Sequence, residues 1–300
     1  MNAHGHTHSQ PAHGSAFVIG ITLNIAFVAV EAFYGWHANS LALLADAAHN
    51  LGDVGGLILA WAAFAASKLP PDFRHTYGWR KGSILASFIN AIVLLVAMGS
   101  LGWEAFHRLL SPAPVQAGIV MAVAAIGVLI NGITAVLFMS GSKEDLNIRG
   151  AFLHMAADAL VSLGVVVAGA LYLWQGWLWL DAVVSVLIAA VVVVGTWSLF
   201  KQSLHLLFDG VPVHIELEAV RQYLSGLPDV TDVHDLHVWA MSTSETALTV
   251  HLVMCEHPTD DQFIQNIAHE LHERFGINHT TTQIEHGGAC QQAQLCIAHS

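Results

Sequence analysis

The chain has 300 residues, 55% of them hydrophobic and only 11% charged, with a formal net charge of −12 at pH 7. That balance excludes a water-soluble globular protein. It fits a chain whose main solvent is a lipid bilayer.

The first segment, residues 1–15, contains "MNAHGHTHSQPAHG" and carries His4, His6, His8 and His13. Polar and broken by Gly and Pro, it cannot bury a core and is expected to be disordered. It is either a solvated tail or a metal-collecting one, since neutral imidazoles bind zinc, copper or nickel with little selectivity. Six apolar stretches follow, roughly 16–36, 40–66, 82–103, 115–139, 150–174 and 178–200, each long enough to span a bilayer. The first lacks the charged start of a cleaved signal peptide and is read as a span. The predicted architecture is an all-α six-helix transmembrane domain over residues 16–208. Lys68, Arg74, Arg80, Lys81, Lys143, Arg149 and Lys201 collect in the loops on one side, against Arg108 alone on the other. The basic side is the cytoplasmic one, which puts both termini inside.

Inside the spans sit five carboxylates (Glu31, Asp46, Asp53, Asp158 and Asp181) and two histidines, with no Lys or Arg. Acids at membrane depth without basic partners prepare the interior for a cation or for protons. "LLADAAHNLGDVGG" holds His49 and Asp53, and "FLHMAADALVS" holds His154 and Asp158. On a helix, residues four apart share one face, so each His-x-x-x-Asp is a preformed half-site. Two half-sites supply two imidazoles and two carboxylates, the set a tetrahedral zinc accepts, whereas calcium or magnesium wants more oxygens. A bland role, polar residues gluing helices together, fits one such histidine better than two copies of the same pair. Asp46, three residues before His49, is either a supporting partner or a further ligand. Glu31, Asp181, Asn24, Asn90 and Asn131 read as structural or access-path residues. One geometric objection stands: counted from the span ends, the two pairs fall at different depths.

Residues 209–300 are water-compatible, with 13 Asp or Glu against Arg221 and Arg274. That charge argues against nucleic acid and for a domain that attracts cations. "HIELEAVRQYLSG" is helical and stops at Gly226. "VTDVHDLHVWAM" and "ETALTVHLVM" alternate like strands. "TDDQFIQNIAHELHERFG" is a helix capped by Thr259 and ended by Gly276, and "TTTQIEH" is a last strand. The order α-β-β-α-β predicts an α+β ferredoxin-like domain with both helices on one face. Its thiols, Cys255, Cys290 and Cys296, suggest metal binding or free thiols before a disulfide.

Six spans, the paired His-x-x-x-Asp motifs, "HTYGWRKGSILASFINA" and a small acidic C-terminal domain together resemble the cation diffusion facilitators, especially the bacterial cobalt–zinc–cadmium resistance exporters and zinc transporters. The resemblance implies a homodimer in the bacterial plasma membrane that exports divalent metal, chiefly Zn2+, from the cytosol in exchange for protons. It implies that His49, Asp53, His154 and Asp158 form the transport site. Two His with two Asp is similar to the zinc-preferring set, while a third Asp in place of a His tolerates cadmium better. It also implies a regulatory zinc site at His234, His251 and Glu285, with His279 beside it. Tail cysteines in relatives form C-x-x-C, whereas here the spacing is Cys290-x5-Cys296. Asp72 and His75 resemble half of a loop site whose nearby positions here hold Trp79 and Arg80, which cannot ligate.

Two other classes fit parts of the sequence. An intramembrane zinc-dependent enzyme would want His-Glu-x-x-His, and the nearest string, His269-Glu270-Leu271-His272, is one residue short. A metal sensor or channel shares the ligands but needs no uphill flux.

Overall fold

The computed structural model describes residues 14–139, 146–254 and 261–286. His4, His6, His8, Cys255, Thr259, Cys290 and Cys296 lie outside the described residues. Six long helices run in order: α1 (Gly14–His37), α2 (Leu41–Ser67), α3 (Gly82–Leu110), α4 (Ala117–Met139), α5 (Leu146–Gln175) and α6 (Leu180–Leu207). In lipid every backbone N–H and C=O must bond within the chain, so apolar runs of this length close into helices. Five of them, α2 to α6, are long and apolar enough to cross a membrane. At 24 residues α1 spans about 36 Å, also sufficient. Leu57, Trp61, Leu129 and Val194 are among many large apolar side chains left on outer faces, as expected where the solvent is hydrocarbon.

The chain divides into two compact units, one of residues up to Gly55 with Ile92–Trp197, the other of Gly56–Ala91 with Ser198 onward. In the first, α4 and α5 make the most extensive helix pair. Small residues permit it: Gly127 lies against Ser162 and Phe27, and Gly169 against Met121. A Cβ at Gly52 of α2 would overlap Leu94 of α3. In the second unit Gly56 faces Asn90, where a Cβ would stand 2.8 Å from Nδ2. Gly52 and Gly56, four apart on α2, thus admit the close approach of α3.

The start of α2 is held by a carboxylate from α6. Asp181 Oδ2 accepts the Leu41 N–H at 2.9 Å, and Oδ1 accepts from the Ser40 hydroxyl. Ser40 Oγ in turn accepts the Leu43 N–H at 3.3 Å. A buried negative group at a helix N-terminus satisfies free amides and meets the positive end of the helix dipole. This gives Asp181 a structural role. Next to it, Asn39 turns the chain at φ 56°, and Arg108 of α3 donates to its carbonyl and side-chain oxygens at 2.6 and 2.8 Å.

The C-terminal part is a small α/β domain of the expected order: α7 (Leu217–Ser225), β1 (Val230–Ala240), β2 (Thr246–Met254), α8 (Gln262–Phe275) and β3 (His279–His286). β1 pairs antiparallel with β2, and β2 pairs parallel with β3. Alternation sends Leu248, Val250 and Leu252 of β2 to one face, where Val220 and Leu224 of α7 and Ile267 and Leu271 of α8 bury them. The opposite face carries His251. α8 ends at Gly276, whose φ of 69° suits a left-handed cap.

Asp181→Ala should destabilise the first unit by about 1–2 kcal/mol through loss of the α2 cap, read as a lower melting temperature of the detergent-solubilised protein. Asp181→Asn, still able to accept the Leu41 N–H, should recover part of it. Equal melting of Asp181→Ala and the parent would remove the capping role.

Candidate metal centre

α2 and α5 each present a His and an Asp four residues apart, and the structure brings all four together. His49 Nε2 lies 3.6 Å from Asp53 Oδ2 and 3.7 Å from Asp158 Oδ1. His154 Nε2 lies 3.2 Å from Asp53 Oδ2 and 3.6 Å from Asp158 Oδ2. Each imidazole therefore faces both carboxylates. The residue numbers explain the meeting: 49 and 158 have the same sum as 53 and 154, as residues at one level of two antiparallel helices must. α5 begins at Leu146, before the expected 150, and the axial register of the two helices, rather than their ends, sets the common depth.

Ligand atoms bound to one tetrahedral zinc at about 2.0–2.1 Å stand about 3.3–3.4 Å from each other. His49, Asp53 and His154 each bring one ligand atom within 4.8 Å of the others, while Asp158 meets His49 with Oδ1 and His154 with Oδ2. Asp53 Oδ2 and Asp158 Oδ2 are buried and take part in no hydrogen bond, so they point at a common centre rather than at donors. Asp158 is 5% exposed and His154 42%, which leaves one side of the cluster open to an entering ion. Asp46 stays out of the cluster, buried and accepting from Ser162 Oγ at 3.1 Å.

A second cluster lies on the open face of the sheet. Register places His234 directly opposite His251 on β1 and β2. Glu285 of β3 pairs with Val253, two residues from His251 and on the same face. His251 Nδ1 stands 2.9 Å from Glu285 Oε1 and His234 Nε2 3.4 Å from Oε2. His251 Nδ1, His234 Nε2 and Glu285 Oε2 nevertheless make no hydrogen bond: the atoms are close but aimed past one another. His279 is elsewhere, at the far end of β3 opposite Ala247, its ring 5.8 Å from Tyr77.

Sequence reasoning missed Asp235 in this cluster. A bulge between His234 and His237 puts Asp235 at φ 51°, a conformation Asp tolerates better than most residues. The extra residue turns its carboxylate onto the histidine face, 3.4 Å from His251 Nε2 and 2.9 Å from His237 Nε2. An acid between two His in "VHDLH" was the available signal.

In the α2–α3 loop, Asp72 Oδ1 accepts from the His75 and Arg74 N–H groups at 2.6 and 2.7 Å, which holds its carboxyl below the usual range. The His75 ring lies on Trp79, centroids 4.3 Å apart. The same loop is tied to the C-terminal domain: Arg80 to Glu245 at 2.9 Å, Lys81 to Asp209 at 2.6 Å, and Ser83 Oγ accepting the Thr243 N–H at 3.1 Å. Among the described residues, His75 thus has an acid and an aromatic ring for company, and no second imidazole.

Comparison with known proteins agrees with this architecture. A family model for the cation efflux transmembrane domain matches residues 17–208, and one for the cation efflux protein cytoplasmic domain matches residues 212–287. The zinc transporter ZitB of Escherichia coli is 36% identical over 99% of this chain and 98% of its own. The metal cation efflux system protein CzcD of Cupriavidus metallidurans is 35% identical, covering 96% and 92%. The cadmium, cobalt and zinc/H+–K+ antiporter of Bacillus subtilis is 33% identical, covering 94% and 92%. Among solved structures, the metal-bound C-terminal domain of the CzcD transporter is 30% identical and covers 24% of this chain and 99% of its own, with a TM-score of 0.22. The chain belongs to the cation efflux, or cation diffusion facilitator, family, and is a multi-pass membrane transporter rather than an enzyme.

Proposed function

We propose that the chain exports zinc from the cytosol in exchange for protons, carrying the metal on His49, Asp53, His154 and Asp158. The observation that supports this most is the gathering of two imidazoles and two carboxylates, each imidazole 3.2–3.7 Å from both acids, from two helices that bring no Lys or Arg to it. Two carboxylates offset the dication, and two imidazoles give it the nitrogen ligands that zinc accepts and harder ions do not. Imidazole binds metal only when neutral and titrates near neutrality, so metal arrival displaces protons and protonation from the far side expels metal. That linkage is antiport in physical terms. The names of the relatives agree, one being a zinc transporter and another an antiporter of cadmium, cobalt and zinc.

The wider arrangement follows the same reading. A transport domain over residues 16–208 sits in the bacterial plasma membrane, with both termini and the 209–300 domain in the cytosol. Two copies associate, and zinc held by His234, His251 and Glu285 brings their acidic C-terminal domains together by screening their repulsion.

Asp53→Ala or Asp158→Ala should reduce zinc uptake into inverted vesicles to the background of empty ones, while the protein stays folded and dimeric. Uptake at the parent rate in either variant would remove that residue from the site. Uphill accumulation driven by a pH gradient in the parent separates a transporter from a channel or sensor.

For the C-terminal site, the full-length protein with His234 and His251 both changed to Ala should bind one zinc fewer per protomer and lose zinc-dependent association. Unchanged stoichiometry would show that those histidines hold no metal.

His49→Asp should shift preference toward cadmium, because a carboxylate that binds through one or two oxygens allows a larger coordination shell. The added acid should also increase proton competition at low pH, since neighbouring carboxylates raise one another's affinity for protons. The ratio of zinc to cadmium uptake decides: a variant with the parent ratio would show that His49 does not set selectivity.

A further inference from the structure

The two histidines on the open face of the sheet are presented in opposite senses. His251 turns Nδ1 toward Glu285, 2.9 Å from Oε1, and Nε2 toward Asp235, 3.4 Å from Oδ2. His234 turns Nε2 toward Glu285, 3.4 Å from Oε2, and Nδ1 toward Asp232, 3.5 Å from Oδ2. Each ring therefore has one nitrogen on the Glu285 side and the other beside a separate carboxylate. The inner atoms, His251 Nδ1, His234 Nε2 and Glu285 Oε2, are buried and make no hydrogen bond, so none is committed to a protein partner.

The two outer acids are not equivalent. Asp232 shares the face of His234 by ordinary alternation and is 68% exposed. Asp235 is 27% exposed and reaches that face only through the bulge. Regular alternation after Val233 and His234 would turn it to the buried side. The chain adopts a left-handed φ of 51° to bring it across, and His237 Nε2 meets its other oxygen at 2.9 Å. A backbone outlier held by its surroundings points to a function served there.

A neutral imidazole carries one N–H, and the nitrogen that carries it cannot ligate. A carboxylate beside one nitrogen draws the N–H there and leaves the lone pair of the other for a metal. We propose that Asp235 is the positioning residue of the C-terminal zinc site. It holds the N–H of His251 on Nε2, so that Nδ1 stands ready beside Glu285 and His234, and His237 steadies it from the outer side. Asp232 acts likewise on the Nδ1–H of His234, but solvent competes and the hold is weak. The acid sets tautomer and ring direction, not charge. The inference rests on the proposed zinc site at His234, His251 and Glu285 and adds what orients it.

The tautomer can be read without metal or variant, from the 15N shifts of the ring nitrogens in metal-free, full-length protein in detergent. At about pH 8.5, well above the ordinary histidine range, His251 should be in the Nε2–H form, its signals identified by their loss in His251→Gln. Asp235→Ala should give a mixture of tautomers. In chelator competition, Asp235→Ala should weaken zinc binding at the C-terminal site about 10–100-fold. Asp235→Asn, which tolerates the same positive φ and still accepts an N–H, should recover part of the loss. Asp232→Ala should change affinity by less than about fivefold. An Nδ1–H form of His251 in the parent, or parent affinity in Asp235→Ala, overturns the proposal. So does one zinc fewer per protomer at saturation in Asp235→Ala, which would make Asp235 a ligand. If changing His234 and His251 together to Ala leaves the zinc stoichiometry intact, the site itself is misassigned, which is a different result.

Discussion

The axial register between α2 and α5 is the constraint on which the rest depends. Two His-x-x-x-Asp motifs become one cluster only if the antiparallel helices align His49 with Asp158 and His154 with Asp53. A shift of one turn would leave one pair facing apolar side chains, and a buried acid without its partners would be expensive. Several features fix that alignment. Asp181 pins the first residues of α2, the Gly52 approach to Leu94 sets α2 against α3, and the close α4–α5 pair holds α5 in place.

The two candidate metal clusters are built on different periodicities. In the helices, the candidate ligands recur at four residues and the cluster forms across two elements. In the sheet, His234 and His251 meet because they share one rung, and Glu285 joins from the parallel neighbour. Strand pairing keeps one face for the helices, so the histidine face is free. A bulge then adds what alternation alone would not allow, the carboxylate of Asp235 between His237 and His251.

Much of this was legible in the sequence, and the limit has a physical pattern. Helices, strands and half-sites follow from local periodicity, so the six spans, the α-β-β-α-β order and both i,i+4 pairs could be read directly. The common depth of the pairs could not, because span ends say nothing of axial register between helices that are distant in sequence. Asp235 was hidden because a bulge breaks the alternation used to assign faces. The close approach of Leu94 to Gly52 and of Asn90 to Gly56 joins positions more than thirty residues apart. The ties of Arg80 to Glu245 and Lys81 to Asp209 join residues more than a hundred positions apart, which no local pattern encodes.

The buried acids divide by the company they keep, and that division orders their chemistry. Asp181 has backbone amides and a hydroxyl, donors that stabilise a fixed negative charge, so it serves as a cap. Asp53 and Asp158 face the His49 and His154 imidazoles, and each keeps a buried oxygen outside any hydrogen bond, the company that suits the proposed transport site. Glu31 accepts from the Asn50 amide and Asp46 from the Ser162 hydroxyl, one neutral donor each. Burial is similar for Asp181, Asp158, Asp46 and Glu31; the donors around each differ. In a low-dielectric interior, the neighbours of a buried acid decide which role it can take.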